Sequence, residues 1–154
     1  MGGALDAAVA LFTSLGHDGS SGLEEELREL GRVLKPGAPL VVDLPEPGHL
    51  ARTFEPFDER RIGGLRVRSR RRLSLGPAGI PEGVSKRVEI RRGGFRVDRW
   101  FEHLELLQAS ALHALAERVG LESVRILSGE RVPGFDASRL LLVARAPRAS
   151  RSLS

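Results

Sequence analysis

The sequence predicts an α/β protein built on a mostly parallel sheet, and three observations carry that prediction. Two short apolar runs without polar alternation, residues 6–12 and 40–44, flank one strongly amphipathic helix pattern. A Pro- and Gly-rich middle then alternates with period 2, as half-exposed antiparallel strands do. A second amphipathic stretch and two further apolar runs close the chain.

Composition sets the bounds. A chain of 154 residues suffices for one domain with a real core. Its 41% hydrophobic and 29% charged residues are ordinary for a folded globular protein. Zero cysteines excludes disulfides, thiolate metal sites and cysteine nucleophiles. No apolar run approaches the roughly 18 residues of a membrane span. Asp6 interrupts the N-terminal apolar stretch, which has no basic region ahead of it, so a secretory leader is not expected and the simplest location is the cytoplasm. The net charge of +4 comes almost wholly from arginine, Lys35 and Lys86 being the only lysines. Such a skew is explained as simply by a GC-rich genome as by phosphate binding.

Asp6-Ala7-Ala8-Val9-Ala10-Leu11-Phe12 reads as a strand covered on both faces, followed by a polar loop punctuated by Gly16 and Gly19. Ser21 and Glu24 match a capping box ahead of a helix whose Leu23, Leu27, Leu30 and Leu34 share one face. Pro36-Gly37 stops that helix, and Leu40-Val41-Val42-Asp43-Leu44 is the next strand. Pro45-Glu46-Pro47-Gly48 reads as a turn. In residues 65–75 the odd positions are mainly apolar and Arg66, Arg68, Arg70 and Arg72 share the other face. Val84, Val88 and Ile90 repeat the pattern, and residues 95–107 form a further strand. Residues 110–119 form the second helix, with Gly120 at its left-handed cap. Residues 123–127 and 138–144 are the closing strands, and residues 146–154 have the composition of a frayed tail.

Three stretches, in this order, resemble class I S-adenosylmethionine-dependent methyltransferases. Leu5-Asp6-Ala7-Ala8-Val9-Ala10-Leu11-Phe12-Thr13-Ser14-Leu15-Gly16 resembles the family's fourth strand and the loop after it. Arg32-Val33-Leu34-Lys35-Pro36-Gly37-Ala38, running into Leu40-Val41-Val42-Asp43, is similar to its "RVLKPGG" helix end and fifth strand, with Ala38 in place of a glycine. Residues 112–121 with 139–145 resemble its last helix, turn and final antiparallel strand. The resemblance covers residues 5–145. It implies a truncated Rossmann-like sheet with an antiparallel last strand and a β-rich insertion at about 54–107.

The resemblance further implies S-adenosylmethionine as cofactor and a small-molecule acceptor. Phe12, Thr13, Ser14 and Gly16 would meet the cofactor, and His17, Asp43 and His49 would stand near the acceptor. No catalytic residue is assigned, and no histidine spacing supports a metal. The family's glycine-rich first loop and its ribose-binding acid belong to strands that would precede Leu5. Losing two or three such hydrogen bonds, at roughly 1.5–3 kcal/mol each, removes about 3–9 kcal/mol, so this chain alone should bind the cofactor weakly. The strand at 6–12 would then be an uncovered edge that recruits a second copy or another chain. Two other readings stand beside methyl transfer. One is a non-catalytic remnant that completes its sheet with a partner. The other is a basic nucleic-acid-binding module using the arginine face, against which a solvated ion-pair surface is the simpler account.

Overall fold

The computed structural model describes residues 3–17 and 19–148. Their backbone forms two four-stranded sheets. The first contains β1 (Ala8–Ala10), β2 (Pro39–Pro45), β7 (Glu122–Ser128) and β8 (Arg139–Arg145), in the order β1-β2-β8-β7. β1 and β2 run parallel, with Ala8 opposite Leu40 and Ala10 opposite Val42, while β8 lies antiparallel between β2 and β7. The connection from β1 to β2 is α1 (Gly19–Val33), and α3 (Ala109–Arg118) precedes β7.

Both long helices lie on one face of this sheet because their leucines recur at helical spacing. Leu23 and Leu27 of α1, with Leu112, Leu115 and Ala116 of α3, pack in one cluster with Leu40, Val42 and Leu142. Each fully buried leucine there stabilises the fold by roughly 1.5–3 kcal/mol. The opposite face is less covered toward β1, where Val9 is 61% exposed and Val41 and Val143 are half-buried. The expectation that residues 6–12 are covered on both faces is therefore corrected. β1 is three residues long, packed on one face, and unpaired on its outer side among the described residues. It is anchored instead at its start, where the Leu5 carbonyl accepts from the Lys35 amide at 2.9 Å and Lys35 pairs with Asp6.

Three local expectations also change. α1 begins at Gly19, so Ser21 lies inside its first turn and not ahead of it; the Ser21 side chain is outside the described residues. Glu24 instead pairs with Arg28 and, from α3, Arg118. The segment read as a turn at 45–48 opens a short helix, α2 (Pro47–Arg52), because Glu46 accepts from the Gly48 and His49 amides and Pro47 supplies a preset φ at the first position. Ala146, read as tail, is fully buried and exchanges backbone hydrogen bonds with Gly37 and Ala38. Pro147 and Arg148 follow it, and only residues 149–154 of that stretch lie outside the described residues.

The second sheet is an antiparallel meander: β3 (Phe57–Ile62), β4 (Leu65–Leu75), β5 (Pro81–Arg92) and β6 (Phe95–Glu105). Gly63-Gly64 and Gly93-Gly94, all at positive φ, make the two-residue turns that suit the twist of such hairpins. Directly opposite residues share a face. One row therefore reads Phe57, Arg70, Arg87, Phe101, and the next Glu59, Arg68, Glu89, Arg99. A third row holds Arg61, Arg66, Arg91 and, across a bulge, Arg96. The other face turns Val84 and Leu104 toward the first sheet, and Leu104 lies against Gly16.

Candidate active site

The loop after β1 leaves the sheet beside the carboxyl end of β2, where ligand clefts of open α/β sheets form. Asp43, at that end of β2, is only 4% exposed. Its carboxylate accepts from the Phe12 amide at 3.0 Å and from Arg139 Nε at 2.6 Å. Arg139 Nη2 donates in turn to Thr13 Oγ1 at 2.8 Å. One buried ion pair thus fixes the loop after β1, the end of β2 and the start of β8.

The backbone it fixes is strained. Phe12 and Thr13 both sit at φ 57°, a left-handed conformation that side chains other than glycine's adopt rarely and at a cost of about 1–3 kcal/mol each. Because the Phe12 amide is held by Asp43, its ring stands out of the loop, 89% exposed. Farther along, the buried Gly16 gives its amide to Glu26 Oε2 of α1 at 2.8 Å and its carbonyl to the Glu105 amide of β6 at 3.3 Å. The loop is therefore pinned to both sheets.

His17 follows. Its Nε2 lies 2.7 Å from the Thr13 carbonyl. A carbonyl only accepts, so Nε2 carries a proton, and in the neutral ring Nδ1 is then the acceptor.

A cleft of about 760 Å³ opens between the two sheets at this point. Phe12, Thr13, His17 and Arg139 line one side, His49 of α2 another, and Lys86 and Glu102 of the second sheet a third. Glu102 accepts from Trp100 Nε1 at 2.6 Å and from Lys86 at 2.9 Å, and these donors, Trp100 first, hold its carboxyl below the usual carboxylate range. Asp136, at the rim, is likewise lowered, chiefly by the Ser138 amide. A second cleft of about 990 Å³ shares His17, Arg71, Lys86 and Glu102 with the first and extends to Phe57, Arg70 and Phe101.

Of the residues singled out from the sequence, Phe12, Thr13, His17 and His49 line the first cleft. Asp43 lies beneath it, orienting the loop. Ser14 is exposed and not among the lining residues, and Gly16 is buried with both backbone groups engaged. Arg139 and Glu102 were not singled out. Each reaches the cleft through strand pairing across a long sequence interval, and no local spacing announces them. Among the described residues no group of three or more His, Asp or Glu side chains gathers as a metal site. No helix there is long and apolar enough to cross a membrane.

Comparison with solved structures agrees with this topology. A methyltransferase from Clostridium acetobutylicum, described as S-adenosylmethionine-dependent, matches 96% of this chain with a TM-score of 0.67 at 14% identity. CcbJ, a methyltransferase from Streptomyces caelestis, matches 94% with a TM-score of 0.66 at 18% identity. The sugar N-methyltransferase KedS8 from a Streptoalloteichus species matches 97% with a TM-score of 0.63 at 22% identity. The chain spans 60%, 58% and 58% of those three chains. No family model matches the sequence, and no curated protein does. The chain has a mixed α/β fold that resembles the corresponding part of class I S-adenosylmethionine-dependent methyltransferases.

Proposed function

We propose that this chain carries the acceptor side of a methyltransferase, directing an activated methyl group from S-adenosylmethionine to an O, N or C nucleophile on a small molecule. The observation that carries the reading is the cleft at the carboxyl ends of β1 and β2, with a strained loop turning Phe12 and His17 into it and the second sheet forming its far wall. The neighbours described as an amino pentose methyltransferase and a sugar N-methyltransferase support a small acceptor.

The residues present fit one side of the cofactor. Phe12 offers an exposed aromatic face and Thr13 a polar edge, whereas the amides of Phe12 and Gly16 are already engaged. When bound, the cofactor supplies an electrophilic methyl group. The chain's own residues position and deprotonate the acceptor. Methyl transfer depends chiefly on holding the nucleophile in line, which the walls of a pinned cleft do. In this reading the neutral ring of His17, its Nε2 donating to the Thr13 carbonyl, takes the acceptor's proton at Nδ1.

S-adenosylmethionine binding by this chain alone is proposed to be millimolar or weaker, because the described residues supply so few donors to it. Calorimetric titration measures this directly. Micromolar one-to-one binding would overturn the claim of an incomplete cofactor site. In any preparation that transfers methyl groups, His17→Gln should lower kcat by about 10²–10⁴ with less effect on the acceptor KM.

A second reading rests on β1. Its outer edge is unpaired among the described residues and Phe12 beside it is exposed, so the chain would complete its sheet with a partner strand and act as a subunit.

A further inference from the structure

Strand pairing gathers on one face of the second sheet an arginine field that the local sequence pattern showed only along β4. To the three rows given above, β4 adds Arg72, paired with Ser85, which in turn faces His103. These four rows contain nine arginines and two carboxylates, Glu59 and Glu89. An ion-pair surface would bring the charges near balance; this one does not. Arg66 and Arg68 share Glu59, and Arg87 and Arg91 share Glu89. Both carboxyls are held below the usual range, Glu59 chiefly by Arg68 and Glu89 chiefly by Arg91, so they are already ionised and saturated with cations. Among the described residues Arg61, Arg70, Arg72, Arg96 and Arg99 form no ion pair on this face.

Holding these charges together costs free energy by mutual repulsion, which a polyanion would remove. Two further features narrow the kind of polyanion. Alternate residues of one strand recur about every 6.8 Å, so Arg66, Arg68, Arg70 and Arg72 form a regular ladder along β4. The row across them ends in an exposed ring on each side, Phe57 at 49% and Phe101 at 67%, with Arg99 stacked 5.4 Å above the Phe101 ring. A four-stranded sheet with exposed aromatics among regularly spaced cations offers stacking to bases and charge to a phosphate chain. Two phenylalanines are too few to insert into a bilayer, and a duplex would leave the rings without bases to stack on.

We propose that this face binds single-stranded nucleic acid, with Arg70, Arg99 and their ladder neighbours on the phosphates and Phe57 and Phe101 beneath bases. The proposal does not depend on the methyltransferase reading, since neither Arg99 nor the outer rows line the first cleft.

The test is fluorescence anisotropy with labelled 12-nucleotide single strands of mixed RNA and DNA sequence, titrated with the full chain from 50 to 200 mM salt. Wild type should bind with log K falling linearly in log salt. Arg70→Gln with Arg99→Gln should shallow that slope by about 0.7 per arginine, and Phe101→Ala should weaken binding on the order of tenfold. Arg125→Gln with Arg131→Gln, equal in charge change but outside this face, should leave the slope as it was. The proposal is overturned if the single strands do not bind, or if the face variants match the control pair. It is also overturned if duplex or anionic vesicles of phosphatidylserine bind as tightly, or if inorganic phosphate competes at equal phosphate concentration.

Discussion

Asp43 and Arg139 stand 96 positions apart in the chain, yet their side chains decide the shape of the loop that enters the cleft. The pair is buried, with 5% and 18% of the two side chains exposed. Replacing one member strands a charge in a poorly solvated place, and the expected cost is about 3–5 kcal/mol. Arg139→Met should therefore lower the urea midpoint steeply, and the double variant Asp43→Asn with Arg139→Met should recover part of the loss. If Arg139→Met unfolds at the wild-type midpoint, the pair does not hold the strained Phe12-Thr13 backbone. Gly129 carries a second residue-scale prediction. A Cβ there would stand 1.9 Å from the Asp136 carbonyl, so Gly129→Ala should displace the β7–β8 connection and lower the midpoint by a comparable amount or less.

At the scale of elements, the two sheets are held by different forces. The first rests on apolar packing, and Leu27→Ala, at a fully buried position of α1, should cost about 2–5 kcal/mol by leaving a cavity. The second sheet carries few apolar pairs and many ion pairs. Asp58, Glu59 and Glu89 are held below the ordinary carboxylate range, chiefly by Arg71, Arg68 and Arg91 respectively. A carboxyl lowered in the folded state lends stability above its unfolded value, about 4, and that contribution is lost as pH falls through the folded value. Trp100, the only tryptophan, lies on β6 and reports on this sheet. Its fluorescence-detected urea midpoint should fall as pH drops from 5 to 3. A flat profile over that interval would mean that these pairs do not support the sheet.

At the scale of the whole molecule, the chain has an open side. Among the described residues β1 pairs only with β2, and Leu5, Val9, Leu11 and Phe12 are all substantially exposed. An unpaired apolar edge is a template for another strand. Sedimentation velocity should therefore show association that grows with protein concentration, and Val9→Lys, which places a charge on that strand, should reduce it. Monomers at all concentrations, unchanged by the substitution, would leave the edge without a partner of its own kind.

What the sequence determined by itself is whatever depends on near neighbours. The leucine spacing of α1 and α3, the Pro36-Gly37 stop, the left-handed Gly120 and the alternation of β4 and β5 are all local, because helix and strand periodicity are written within a few residues. Phe12, Thr13 and His17 were legible as cleft residues because a loop after a parallel strand opens at the sheet's carboxyl edge. β3 was not legible, since Phe57-Asp58-Glu59-Arg60-Arg61-Ile62 has no apolar alternation and becomes a strand only by pairing with β4. Tertiary structure alone decided that Arg139 meets Asp43 and that arginines from four strands share one face. Both outcomes depend on strand register, which brings together residues that no local pattern connects.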